Sequence, residues 1–153
     1  MAPSSTDRIE KQIVLRAPRA RVWRAIASGE ELGAWFGVKG LKGWFEPGQR
    51  VRGQIANEGY EHLTLELTVE KVEQERLLSW RWHPHAVEPA VDYSKEPTTL
   101  VEFRLEDVEG GTRLTLVESG FDQIPAHRRD KAFRMNGEGW AEQLRRVERH
   151  VAT

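Results

Sequence analysis

The feature that most constrains this chain is a long alternation of apolar and polar residues, from Trp44 to Glu118, followed by one segment of helical periodicity. Successive side chains of a strand point to opposite faces, so a period of two indicates strands with one dry face. Over about seventy residues, this pattern is typical of consecutive antiparallel strands. Such a sheet must bury its dry face against another element, and the helix that follows can supply that cover.

Each predicted strand obeys the same rule. The apolar positions that share the dry face are Val51 and Ile55, then Leu63, Leu65, Leu67 and Val69, then Leu78, Trp80 and Trp82, then Val101, Phe103 and Leu105. Gly110 and Gly111 predict the turn of the last hairpin. Residues 83–97 contain three prolines, which cannot donate to a ladder, so we predict a long surface loop at the rim of the sheet.

Shorter elements precede the alternating run. Residues 1–7 are small and polar and predict a flexible tail, whereas residues 8–16 alternate and predict a strand. Pro18 suits a first helical position, and a short amphipathic helix is expected to end at Ser28-Gly29. A second short helix fits residues 30–36, with the glycine-rich stretch 37–43 after it.

The C-terminal segment, about residues 129–152, predicts one long helix. Its apolar stripe steps by four and three through Phe133, Gly137, Trp140, Leu144, Val147 and Val151. A glycine in an exposed helix interior costs about 1 kcal/mol relative to alanine, so Gly137 and Gly139 indicate a close approach or an open space beside the backbone. The expected fold class is α+β: a curved antiparallel β-sheet wrapped around a long C-terminal α-helix, with two short helices after the first strand.

Composition narrows the functional classes. The 153 residues are enough for a single domain, expected over residues 8–153, and the absence of cysteine excludes disulfides and thiolate metal sites. A net charge of -1 gives no general attraction to nucleic acid or to a membrane surface. Without an apolar run long enough for a signal peptide or a membrane span, we expect a cytoplasmic protein. No phosphate-binding loop or dinucleotide motif is present, so no cofactor is expected.

Several short motifs together carry a family resemblance. They are Ala17-Pro18 with Val22-Trp23, then Trp35-Phe36, then Ser119-Gly120-Phe121, then Asn136-Gly137-Glu138-Gly139-Trp140. In this order and spacing the chain resembles the START-like helix-grip (SRPBCC) superfamily, in the branch of the C-terminal domain of the activator of heat shock protein 90 ATPase. The resemblance spans roughly residues 8–151. It implies a cavity between sheet and helix, often for an apolar ligand, and it implies a chaperone partner and a role in the stress response.

The aromatic residues have two interpretations. Trp80, Trp82 and Phe103 point to the face that meets Trp140, where they either fill the core or line a cavity. Small residues at 137 and 139 leave room for a cavity, which we expect to open past Trp35 and Phe36 and the 83–97 loop. The full set of predicted ligand-binding residues is Trp35, Phe36, Trp80, Trp82, Phe103, Glu118, Phe121, Asn136 and Trp140.

Glu118 is the most informative single position. By strand parity it follows Leu114 and Leu116 on the inward face, so a carboxylate is aimed at the core. Because buried unpaired charge is costly, Glu118 requires a partner, a proton or an opening to water. It either reaches solvent or an arginine at the strand end, or it takes part in a ligand site. Asn136 is the nearest polar candidate on the helix, as a ligand contact or as a cap for a loop carbonyl.

Three functions remain open from the sequence. The first is non-catalytic binding of a small hydrophobic or aromatic ligand, which needs only the cavity. The second is an enzyme similar to helix-grip cyclases or hydrolases, with Glu118 as acid or base. The third is a co-chaperone-like interaction domain, with Arg145, Arg146 and Arg149 as a basic patch. No metal site is expected, because His83 and His85 lie in a proline-rich loop without a fixed third donor.

Overall fold

The computed structural model describes residues 7–88 and 91–152 of the chain. The strands are β1 (Arg8–Leu15), β2 (Val38–Lys39), β3 (Arg50–Ile55), β4 (Thr64–Glu73), β5 (Leu77–Trp82), β6 (Thr99–Val108) and β7 (Gly111–Ser119). The helices are α1 (Arg19–Ala27), α2 (Gly29–Phe36) and α3 (Ala126–Val151), with a single 3-10 turn at Phe121–Gln123. These elements confirm the predicted α+β class, with two short helices after β1 and a long helix at the end.

The seven strands form one curved antiparallel sheet. Their order is β1-β7-β6-β5-β4-β3-β2, so the first strand pairs with the last. Gly110 and Gly111 make the β6–β7 turn with φ values of 86° and 154°. A Cβ at Gly111 would lie 2.0 Å from the Leu15 carbonyl oxygen, which explains why this turn needs glycine.

Helix α3 covers the dry face of the sheet. Trp140 is only 3% exposed and its ring centroid lies 5.8 Å from that of Phe103 on β6, so the predicted orientation of the helix stripe is confirmed. Leu144, Val147 and Val151 of the same stripe are also buried. The helix begins at Ala126, three residues before the predicted start, because Pro125 precedes it and the charged first turn shows no apolar period.

Four further local features differ from the sequence expectation. Helix α1 ends at Ala27 with Ser28 as its C-cap, as predicted, but α2 begins at Gly29, one residue before the expected start. Strand β2 lies inside the glycine-rich stretch, where two residues are too few to show a period. Val117 faces the outer side of β7 as expected but is 4% exposed, because its cross-strand neighbours are the long side chains of Glu10 and Glu102. Thr115, also on that side, is 8% exposed.

Both ends of the chain extend beyond the described residues. Most of the predicted 1–7 tail, and Thr153, lie outside the described residues. Asp7 is described, and its carbonyl oxygen accepts hydrogen bonds from the backbone N–H groups of Gly120 and Phe121 at 3.1 Å. Its carboxylate accepts a third, from the N–H of Asp122. The folded region therefore includes Asp7.

Candidate functional site

A buried carboxylate lies at the centre of the candidate site. Glu118, at the end of β7, is 0% exposed. Its Oε1 accepts hydrogen bonds from Trp140 Nε1 at 2.8 Å and Asn136 Nδ2 at 2.9 Å. Its Oε2 accepts from Thr99 Oγ1 at 2.6 Å and Trp82 Nε1 at 2.8 Å, with Asn136 Nδ2 also at 3.2 Å. Within the described chain, Glu118 has no lysine, arginine or histidine partner. Its carboxylate is stabilised by hydrogen bonds from four neutral donors.

These four donors come from four positions in the fold. Trp82 ends β5 and Thr99 begins β6, next to the end of β7 in the sheet, while Asn136 and Trp140 lie one helical turn apart on α3. The inward direction of Glu118 that strand parity predicts is thus supported. Its carboxylate reaches neither solvent nor an arginine, which was one of the two outcomes expected from the sequence. Thr99 is missing from the sequence prediction, although it shares the parity of Val101 and Phe103 and could have been found from it.

Most of the predicted aromatic residues lie in the core. Trp80, Phe103 and Phe121 are 0% exposed and Trp35 is 5% exposed. The ring centroids of Trp80 and Phe103 are 5.0 Å apart, and Trp35 Nε1 donates to the Ala25 carbonyl at 2.8 Å, which fixes α2 on α1. For these four side chains, the structure supports the interpretation that they fill the core. Their contact with a ligand stays a prediction that would require the core to open.

A groove of about 430 Å³ lies on the outer side of this aromatic core. Its walls are Phe36, the β3–β4 hairpin at Ile55 and Leu63, Trp82, the 83–94 loop with Tyr93, and Asn136. Pairing between β4 and β5 ends at Thr68 and Arg81. Beyond that point residues 64–66 of β4 line the groove, so it opens where the chain leaves the sheet after β5.

A smaller cavity of about 110 Å³ adjoins the groove along α3. Phe36, Trp82 and Asn136 line both spaces, and Trp140 and Gly139 line the smaller one. A Cβ at Gly139 would meet nothing within 4 Å, which agrees with the predicted open space beside the helix, whereas a Cβ at Gly137 would touch Ile9 at 3.9 Å. Four predicted site residues, Phe36, Trp82, Asn136 and Trp140, therefore lie beside accessible space.

His85 forms part of the groove wall, in the loop where the sequence predicts no metal site. It lies in the left-handed region with φ of 47°, and its buried Nε2 has no hydrogen-bond partner among the described residues. Burial, together with the charges of Lys131 and Arg128, lowers the pKa of its imidazole, so the ring is neutral at pH 7. No group of three or more His, Cys, Asp or Glu side chains in the described chain could hold a metal ion.

The basic patch expected on α3 is internally paired. Arg145, Arg146 and Arg149 approach the Glu142 carboxylate at 3.0, 3.5 and 3.7 Å. Shared between three guanidinium groups, this carboxylate offsets part of their charge. The patch therefore carries less net charge than the three arginines suggest.

The sheet order, the helix that it grips and the position of the two short helices define a START-like helix-grip domain. The chain belongs to the family described as Activator of Hsp90 ATPase homolog 1-like protein, whose model matches residues 16–152. No curated protein matches the chain significantly. In the described residues, no helix has the length and apolar character required to cross a membrane.

Solved structures share the fold at low sequence identity. Protein NE0264 from Nitrosomonas europaea matches with a TM-score of 0.74 and 19% identity, covering 99% of this chain and 98% of that one. Protein MLL2253 from Mesorhizobium loti matches with a TM-score of 0.72 and 20% identity over 95% and 96%. A protein from Arthrobacter aurescens matches with a TM-score of 0.72 and 15% identity over 96% and 87%. Similarity at this level supports the fold and leaves the function to the site.

Proposed function

We propose that this protein binds a small apolar or aromatic ligand, without transforming it, in the groove between the 83–94 loop, the β3–β4 hairpin and α3. The observation that carries the proposal is the groove itself, with aromatic walls at Phe36, Trp82 and Tyr93 and a polar group at Asn136. Ligand sites are usually concave and largely apolar, with a few placed polar groups that orient the ligand. The family and fold support a ligand-binding or interaction domain in general terms.

The position of Glu118 favours binding over acid-base catalysis. A general acid or base must come within hydrogen-bond distance of the proton that it moves. Glu118 is fully buried, and both its oxygens already accept hydrogen bonds from protein donors. We therefore assign it the role of orienting Trp82, Trp140 and Asn136, two of which form groove wall.

A blocking variant tests the proposal. Ala86 lines the groove, so Ala86→Trp should fill it and weaken binding of the neutral dye Nile red by about tenfold or more, the cost of losing a favourable apolar contact area. Ala152 is exposed at the end of α3, and Ala152→Trp is the matched control, expected to leave dye affinity unchanged. Fluorescence titration measures both. Equal binding by the wild type and Ala86→Trp would contradict the proposal.

A second candidate is a protein interaction with a chaperone, in the cytoplasm, as the family description suggests. The supporting surface is Trp44, which is 57% exposed beside a cavity of about 320 Å³ lined by Trp23, Phe45 and Val72. An exposed aromatic side chain at a shallow apolar cavity is a feature of interaction surfaces. Calorimetric titration with purified heat shock protein 90 tests it, and Trp44→Ala should abolish any binding seen.

A further inference from the structure

The groove contains a hydrogen-bond acceptor whose direction is fixed. Because a carboxylate accepts and does not donate, the amide nitrogen of Asn136 must be the atom that faces Glu118, as the 2.9 Å contact shows. The amide oxygen then points elsewhere. No described residue donates a hydrogen bond to Asn136 Oδ1. This oxygen is not among the fully buried polar atoms that lack a partner, so it is accessible to a ligand. A ligand that satisfies this acceptor must bring a donor.

The described lining of the groove contains acidic side chains and no basic one that carries an aliphatic amine or guanidinium. Among the described residues of its lining, the charged side chains are Glu66 and Asp92, and neither lysine nor arginine is present. Glu66 pairs with Arg52 at 2.9 Å. Hydrogen bonds from the side chain and backbone of Ser94 lower the pKa of Asp92, so this carboxylate is ionised at neutral pH.

The two ends of the groove differ in their electrostatic surroundings. Glu118 lies directly behind Trp82, whose indole N–H donates to it at 2.8 Å. Donation from the N–H makes the indole ring richer in electrons, which strengthens attraction of a cation to its face. At the far end, the positive charges of Lys131 and Arg128 act on neutral His85. Arg128 is paired with Glu96 at 2.6 Å and stacks on Tyr93 at 4.8 Å, so the favourable place for a cation is the Trp82 end.

We infer that the preferred ligand carries a protonated amine, which donates to Asn136 Oδ1 and lies against the face of Trp82, with its apolar body along Phe36 and Leu63. This inference rests on the proposed groove function and names the class of ligand. An ammonium group has three hydrogen-bond donors and no acceptor. It therefore matches a groove that offers acceptors, such as Asn136 Oδ1, better than a hydroxyl group does. It also gains from the aromatic face and from the ionised carboxylate of Asp92.

Three probes with the same body test the inference. Phenylbutylamine, phenylbutanol and phenylbutyrate differ in the charge of one end, and their affinities are measured by calorimetry at neutral pH. Phenylbutylamine is expected to bind about fivefold tighter than phenylbutanol, as a partly desolvated cation–π contact and one charged hydrogen bond would give. Phenylbutyrate should bind weakest.

Two variants and one control assign the preference to the groove. Asn136→Leu should remove most of the preference for the amine, and Asp92→Asn, in an exposed loop, should reduce it about twofold without risk to folding. Glu148→Gln makes the same charge change as Asp92→Asn on the exposed side of α3 and should change nothing. Equal affinity for amine and alcohol, or tighter binding of phenylbutyrate, would overturn the inference while leaving groove binding intact. If none of the three probes binds, groove binding fails as well.

Discussion

Glu118 shows how a single residue can organise an aromatic site without a cation. A lone guanidinium partner would fix one direction, whereas four neutral donors fix the positions of two indole rings, one amide and one hydroxyl. Each donor stabilises the carboxylate, and each donor is in turn satisfied in a place where water is excluded. The aromatic wall at Trp82 and the acceptor direction at Asn136 therefore both depend on this one side chain.

Replacing the carboxylate by its amide tests that dependence. Glu118→Gln keeps the shape but turns one acceptor into a donor that faces an N–H or O–H group, so at least one buried donor loses its partner. We expect the free energy of unfolding to fall by about 1 to 3 kcal/mol. Urea denaturation measures this change, and Glu106→Gln, an exposed partner of Arg113, serves as control with an expected change within about 0.5 kcal/mol. An unchanged midpoint in Glu118→Gln would show that the donors find other partners.

At the residue scale, the sequence could predict the direction of Glu118 but only part of its surroundings. Strand parity depends on neighbouring positions, so the alternation up to Leu116 and Glu118 was sufficient to place the carboxylate inside. Its partners are set by packing between elements that lie far apart in the chain, with Trp82 separated from Glu118 by 36 positions. The same limit explains why the sequence left open whether the aromatic residues fill the core or line a cavity, since ring packing depends on distances that a pattern does not contain.

At the scale of elements, α3 is held at its C-terminal end by an ionic contact with the two short helices. Glu31 of α2 accepts from Arg21 at 2.8 Å and Arg24 at 2.5 Å of α1, and it contacts His150 of α3 at 2.9 Å. Burial alone would raise the pKa of Glu31, but hydrogen bonds from His150, Arg21 and Arg24 outweigh it and hold the pKa below the usual value of a glutamate. These contacts join all three helices at one carboxylate.

This arrangement predicts a pH-dependent contribution to stability. A carboxyl group with a lowered folded-state pKa stabilises the fold fully above its unfolded-state value, and the contribution is lost as pH falls through the folded-state value. Glu31→Gln should therefore destabilise the protein at pH about 6 and should approach the wild type near pH about 3. Urea denaturation at both pH values checks this, with Glu148→Gln as the exposed control. A stability difference that stays constant across this range would contradict the assignment.

Element boundaries divide into those with a sequence signal and those without one. The stripe from Phe133 to Val151 predicted α3, because a long amphipathic helix repeats its period many times. Strand β2, only two residues long, and the start of α3 at Ala126 have no repeated pattern to detect. The 83–97 loop was predicted at the rim of the cavity and lines the groove, whereas the wall from the β3–β4 hairpin was not predicted, since hairpin conformation depends on tertiary contacts.

At the scale of the whole molecule, the sheet order divides the protein into a closed side and an open side. Strand β7 lies between β1 and β6 and pairs along its length with both, and this ties the two ends of the domain together. On the other side, the β4–β5 pairing ends at Thr68 and Arg81, and the chain then leaves the sheet to form the groove rim. Ligand entry would therefore involve the open side while the closed side remains fixed.

Hydrogen exchange can measure this division directly. The backbone amides of β7 donate hydrogen bonds to both neighbouring strands, β1 and β6, above a buried core. They should therefore exchange only when nearly the whole fold opens, and they should show the largest protection in the molecule. Amides of residues 83–88 and 91–98 have few backbone partners, and two of them depend on side chains: Glu88 N–H donates to the Tyr93 hydroxyl at 3.1 Å and Ser94 N–H to Asp92 at 3.0 Å. These amides should exchange through local opening, orders of magnitude faster than β7.

Mass spectrometry of peptic peptides compares the two regions in one sample, with α3 peptides as an internal reference for global unfolding. Protection of the rim equal to that of β7 would show that the groove is a rigid part of the core, and the ligand would then have to enter a site with fixed walls.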